Sequence, residues 1–211
     1  MGESNEETIV YQGMTRAQVE QVFQEHLAAQ RWTEAVEILV GAHGREILQF
    51  LHGFLRDGHD AEEVFAQMCL KLLEEIPKFR GECSGRAWFF YKSRFAALDW
   101  VRSPRRQRER RLETHEWSRM SNLVDKVRSE TRPYLKTEIK DRFAQLREQL
   151  KPEERMLLVL YKYQNMPSHE VAEAMSTPED PWTPAKVRKR WQRLKTKIAD
   201  MAKRQGLLSN G

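Results

Sequence analysis

The sequence predicts an all-α fold: two small helical domains joined by a charged linker. Three observations carry that expectation. Apolar residues recur at the three- and four-residue spacing of a helix face in several separate segments. The chain has 211 residues and a hydrophobic fraction of 40%, which supports compact cores and suits two small domains better than one large one. Residues 103–141 hold Pro104 and Pro133, dense charge and only a modest apolar series of Trp117, Met120, Val124 and Val127, the pattern of a linker with one amphipathic helix. The chain accordingly divides into an N-terminal extension with one helix at 1–32, a first domain at 33–103, the linker at 104–141 and a second domain at 142–206.

Residues 1–14 are polar and acidic and predict disorder. From Thr15, with Gln18 at capping-box spacing, Val19, Phe23 and Leu27 share one face of a helix expected to pack on the first domain. Residues 33–56 keep a helical period through Val36, Val40, Ile47, Leu51 and Leu55, with Gly41 and Gly44 marking a bend or a close contact. Asp60 as N-cap and Glu63 three residues later open the next helix, whose face runs Val64, Met68, Leu72 and Ile76 until Pro77 ends it. A short Gly-rich loop follows. Trp88, Phe89, Phe90, Tyr91, Phe95 and Trp100 then place six of the chain's twenty aromatics within thirteen residues. Residues 87–102 are apolar around almost the whole helical circumference, so this helix either lies at the centre of its domain or receives something on a second face. Aromatics beside arginines suit unpaired bases, which offer a face to stack on and a phosphate to neutralise.

In the second domain Phe143, Leu146 and Leu150 resume the period, Pro152 opens a helix, and residues 168–175 form a short one with Val171, Ala172 and Met175 inward. Thr183 is placed as N-cap and Pro184 as first residue of a basic helix with a buried stripe of Val187, Trp191, Leu194 and Ile198. Lys186, Arg188, Lys189, Arg190, Arg193, Lys195 and Lys197 project elsewhere. The order is helix, turn, basic helix.

The formal net charge is +5, but its distribution says more. Residues 102–111 carry +5 and residues 186–204 carry +8, leaving −8 on the other 182 residues. Two basic patches on an acidic chain fit two contacts with a polyanion and an acidic surface left for a basic protein partner. No run approaches eighteen apolar residues and the N-terminus lacks the order of a signal peptide, so a cytoplasmic protein with no membrane contact is expected. Cys69 and Cys83 make no metal-ligand spacing, and His43, His52 and His59 read as surface or capping residues. With no P-loop, metal cluster or nucleophile-base pair, neither a metal, a cofactor nor an enzyme is expected.

The motif order LVGAHGREILQFLHGFLRDGHDAEEVF, PKFRGE, GRAWFF and, from Arg94 to Arg102, RxxxxDWVR resembles region two of the extracytoplasmic-function sigma factors of bacterial RNA polymerase. LKPEERMLLVLYKYQNM and TPAKVRKRWQRLKTKI, in that order and after the first block, resemble region four of the same family. The resemblance covers roughly residues 36–103 and 143–205 and leaves the N-terminal helix out. It implies promoter-specific initiation with DNA melting, and as partners core RNA polymerase, through its beta-prime clamp helices and beta flap, and promoter DNA. An anti-sigma factor joins the candidate partners, because free members of the family are often held by one; the active protein would be nucleoid-associated.

By resemblance, the loop and helix from Arg80 onward would capture a flipped base of the minus-ten element through Arg80, Glu82, Ser84, Arg86 and Trp88, with Arg94, Arg102, Arg105 and Arg106 on phosphates. Thr183, Lys186, Arg188, Lys189, Arg190, Arg193 and Lys195 would meet the minus-thirty-five element. Asp60, Glu62, Glu63, Gln67 and Lys71 would dock on the clamp helices, and Leu157, Leu158 and Tyr161 on the flap unless they are core. This chain departs from the pattern at Phe95, where Asn is usual, at Lys92, where an aliphatic is usual, and at Ala66-Gln67, where Gln-Glu is usual. The turn between Met175 and Trp182 is about five residues longer than the common form of the family. The competing reading is a helix-turn-helix regulator that binds duplex DNA without polymerase; such a protein needs neither an acidic docking helix nor an aromatic strand-holding one.

Overall fold

The computed structural model of the protein describes residues 9–55, 57–102, 115–138 and 149–204. Its contacts divide the chain into two compact units, Met1–Arg132 and Pro133–Gly211. Arg105, Arg106, Phe143 and Leu146 lie outside the described residues.

The first unit opens with a short antiparallel hairpin, β1 (Ile9–Tyr11) and β2 (Met14–Thr15), where the composition of 1–14 predicts disorder. Gln12 and Gly13 both take positive φ at its turn, the backbone twist that a two-residue hairpin demands. Helix α1 (Arg16–Ala28) has the expected capping box, with Thr15 Oγ1 accepting from the Gln18 N–H and Gln18 returning to the Thr15 N–H. Helix α2 (Trp32–Phe54) is the hub, packed by α1, by α3 (Gly58–Glu75) and by α4 (Gly85–Arg102). Helix α3 begins earlier than the sequence indicates. Asp57, not Asp60, is its N-cap and accepts from the His59 N–H at 2.7 Å, because the Gly58 and His59 backbone already continues the helix.

Close approach to α2 is built from small residues. A Cβ on Gly41 would fall 2.5 Å from the Tyr11 ring, and one on Gly85 would fall 2.7 Å from both Leu39 and Phe23. Glycine at 85 thus lets the first turn of α4 press into the seam between α1 and α2. Phe23, Phe50, Phe65, Phe89 and Phe90 are fully enclosed in this core.

Helix α5 (His115–Glu138) comes from the segment read as linker. Met120, Val124, Val127 and Thr131 on it are buried, and Val127 lies against the Gly44 position of α2 beside Phe65.

In the second unit, α6 (Pro152–Leu158) runs on as a π turn over Val159–Tyr163, followed by α7 (Ser168–Met175) and α8 (Pro184–Arg204). Its core is Met156, Leu157, Val159, Leu160, Val171, Met175, Val187 and Leu194. Trp191 is only half-buried, its ring centroid 5.2 Å from that of Tyr161, and Ile198 is half-buried as well.

Phe23 is the side chain through which α1 is keyed to the rest of the first unit, so Phe23→Ala should lower that unit's stability by about 3–5 kcal/mol. Urea unfolding followed by tryptophan fluorescence reads this. A shift under about 1 kcal/mol would show that α1 is not part of the cooperative core.

Candidate nucleic-acid interface

The loop from Phe79 to Ser84 is held at both ends. Phe79 stands 5.7 Å from the Phe23 ring and 5.0 Å from the Trp88 ring, centroid to centroid. At the other end the Gly85 N–H donates to the Glu20 carboxylate at 2.9 Å, and Ser84 Oγ accepts from the Ala87 N–H at 3.1 Å. Glu20 and Ser84 thereby satisfy donors at the start of α4 that no intrahelical carbonyl reaches. Between these anchors, Gly81 with φ of +72° turns the chain outward, and the Arg80 and Glu82 side chains are 83% and 76% exposed.

Other residues expected to touch DNA lie inside the unit. Arg86 is 3% exposed and donates from Nε to Glu46 Oε2 at 2.9 Å, while Arg16 donates to Glu46 Oε1 at 2.7 Å. A guanidinium so placed secures α4 to α2 and cannot present itself to a flipped base. Trp88 is buried against Phe79, and Arg94 is 7% exposed with its guanidinium 5.0 Å from the Phe95 ring. Arg102 is exposed at the end of α4.

His43 belongs to the same cluster, which overturns its reading as a surface or capping residue. It is 2% exposed, with Nδ1 3.9 Å from Glu46 Oε2. Burial disfavours its charged form, Glu46 opposes that in part, and the Arg86 and Arg16 guanidiniums add to it, so its pKa falls to about 4. For Glu46, burial alone would raise the pKa; the Arg86, His43 and Arg16 charges outweigh it and hold the carboxyl below the usual range. Burial pushes the Cys69 thiol far up, leaving an inert core side chain.

On α3 the docking residues split between faces. Glu62 is 7% exposed and accepts from Arg128 of α5 at 2.7 Å. A carboxylate spent on a partly buried ion pair is part of the fold. Asp60, Glu63, Gln67 and Lys71 remain partly exposed, with Gln67 donating to Glu63 at 2.8 Å. Lys71 opens onto a cleft of about 230 Å³ between α3 and α4 that also takes in Tyr91, Phe95 and Asp99. Tyr91 and Phe95, 4.8 Å apart, are the aromatics of α4 that the core does not absorb.

In the second unit the Thr183 side chain caps α8, accepting from the Lys186 N–H at 3.2 Å. Arg188, Lys189, Arg193 and Lys195 are exposed along α8, whereas Lys186 and Arg190 are half-buried beside the preceding turn. Lys197 donates to Glu154 at 2.6 Å. Leu157 and Leu158 are 2% and 8% exposed, hence core residues rather than a docking face. Glu46, Glu20 and Arg16 escape a sequence reading because each partner lies thirty or more residues away.

Among the described residues no group of His, Cys, Asp and Glu could hold a metal ion, and no helix is long and apolar enough to cross a membrane. Residues 39–107 match the family model of sigma-70 region 2. Over 84 residues the chain is 26% identical to the ECF RNA polymerase sigma factor SigX of Bacillus subtilis (strain 168), a match covering 40% of this chain and 43% of that protein. The aligned part therefore spans less than half of the relative.

The His43 site makes stability depend on pH with a definite sign. Between about pH 6.5 and 4 the unfolded chain binds a proton at His43 that the folded chain does not, so stability falls as pH drops through that window. From pH 7 to 4.5 the loss should be about 2 to 3 kcal/mol greater in the native protein than in His43→Gln, measured by urea midpoints at both pH values. Parallel pH profiles for the two proteins would refute the assignment.

Proposed function

We propose that the chain is an extracytoplasmic-function sigma factor, a promoter-selecting subunit of bacterial RNA polymerase, a reading supported by the sigma-70 region 2 match at residues 39–107 and by the similarity to a sigma factor of that class. It acts without catalytic chemistry of its own: it binds core polymerase, contacts promoter DNA with both units and helps open the duplex. The site of action is the cytoplasm, at the nucleoid.

The loop anchored at Phe79 and Gly85 carries this reading, because it offers exposed polar groups on a fixed base. Extruding a base costs a few kcal/mol of stacking, and a preorganised loop recovers it without first ordering itself. Arg80 and Glu82 are the side chains for that task, with Arg102 on the neighbouring phosphates. Arg86, Trp88 and Arg94 support the loop and helix from beneath. In the second unit Arg188 and Lys189, near the start of α8, are placed for a major groove, where a good bidentate contact discriminates by about 1–3 kcal/mol. Arg193 and Lys195 serve phosphates. The clamp of the polymerase is met by Asp60, Glu63, Gln67 and Lys71.

Two measurements test the assignment. In transcription assays with purified core polymerase on a pool of genomic promoter fragments, the protein should produce discrete starts that share two upstream elements. Polymerase that neither binds the protein nor changes its start sites would leave only the duplex-binding regulator. Second, Glu63→Lys should weaken core polymerase binding by about tenfold or more while leaving thermal stability unchanged. Glu62→Ala should instead destabilise the first unit, by about 2 kcal/mol, because the charge-assisted bonds to Arg128 are lost while that partly exposed guanidinium keeps Asp125 at 3.5 Å. Tight polymerase binding by a folded Glu63→Lys protein would remove the docking assignment.

A further inference from the structure

The turn from Ser176 to Trp182 is not a slack connector. Its Trp182 N–H donates to Ser176 Oγ at 2.9 Å, Ser176 Oγ donates to the Ala172 carbonyl at 2.8 Å, and the Asp180 N–H donates to Thr177 Oγ1 at 3.0 Å. These bonds close the turn on itself and hold Asp180 beside the first turns of α8. There its carboxylate accepts from Trp182 Nε1 at 3.0 Å and from Lys186 Nζ, with Arg190 at 3.7 Å from its other side. Lys186 also donates to the Pro181 carbonyl at 3.1 Å, and Arg190 pairs with Glu153 at 3.0 Å. The Trp182 ring lies beneath both cations, 5.3 Å from the Lys186 ammonium and 4.3 Å from the Arg190 guanidinium. The two basic residues of α8 that face the turn are therefore already matched by carboxylates and an aromatic face within their own unit.

From this geometry we infer that Asp180, with Trp182 as its platform, is a specificity-determining residue: it withdraws Lys186 and Arg190 from the DNA-contacting set of α8. Its neighbouring pairs draw the Asp180 carboxyl below the ordinary aspartate range, first through the Lys186 hydrogen bond, so the negative charge persists at any physiological pH. Phosphate contacts carry no sequence information and dominate non-specific affinity. Neutralising two of the available cations, and setting a carboxylate where a phosphate would approach, lowers binding to arbitrary duplex while leaving Arg188 and Lys189 to read the groove. The inference rests on the reading of α8 as a DNA-binding helix and adds to it which cations do the binding.

The test uses the full chain, a fluorescent duplex of random sequence as probe, and anisotropy titrations across potassium chloride concentrations. Each phosphate contact contributes about 0.9 to the slope of log K against log salt. In the native background Lys186→Met should leave the slope unchanged, whereas Arg193→Ala, which removes a phosphate contact, should reduce it by about one. Asp180→Asn, which keeps the turn's shape and can still accept from Trp182, should raise affinity for random duplex and steepen the slope by about one as Lys186 is released. The double variant Asp180→Asn with Lys186→Met should return to the native slope. If Lys186→Met alone lowers the slope, or Asp180→Asn fails to raise it while Arg193→Ala has its effect, the inference is overturned and α8 stands as a DNA-binding helix. A slope that ignores Arg193→Ala overturns that reading of α8, and the inference with it.

Discussion

The Glu46 carboxylate accepts from Arg86 of α4 and from Arg16 of α1, and through these bonds α2 ties both neighbouring helices to itself. The cluster sits where the three helices converge, with His43 as its fourth member. Removing one partner of such a buried pair leaves a charge without compensation, at a cost of about 3–5 kcal/mol. Registry is what the arrangement contributes. An apolar seam would tolerate a slide of α4 along α2, whereas guanidinium and carboxylate must meet at one position. Because α4 is fixed in this way, the loop that precedes it is fixed as well.

That constraint explains the allocation of aromatics on α4. Trp88, Phe89, Phe90 and Trp100 are taken up by the core, and Phe50 and Phe90 meet edge to face at 5.9 Å. Tyr91 and Phe95 lie on the remaining side, over the cleft shared with α3. An all-round apolar helix therefore has both of the roles its sequence permits: most of its circumference is interior and a narrow strip is available. Helix α1, which lies outside the matched family segment, supports the same loop through Glu20 and Phe23. Supporting residues of this kind hold a site's geometry without touching what it binds.

The second unit meets a different requirement. A helix as basic as α8 attracts any polyanion, and the proposed promoter reading would be hampered by that attraction to arbitrary sequences. The acidic residues Glu153, Glu154 and Asp180 occupy cations on its flank, which limits the attraction to the exposed edge.

Much of this was legible from local pattern. Capping at Thr15 and Thr183, the extent of helix 168–175 and the inward faces of α1 and α7 follow from spacing alone, because hydrogen-bond geometry and the 3.6-residue period act over a few residues. The all-α class follows from the same source. Tertiary structure alone decided which polar residues are interior. Arg86, Arg94, Glu62 and His43 carry side chains that are usually solvated, and nothing adjacent in sequence distinguishes them from Arg80 or Glu63. Their partners come from other helices, Glu46 forty residues from Arg86 and Arg128 sixty-six from Glu62. Whether a charge is buried depends on a compensating charge arriving from elsewhere in the chain, and only the packing of the helices brings the two together.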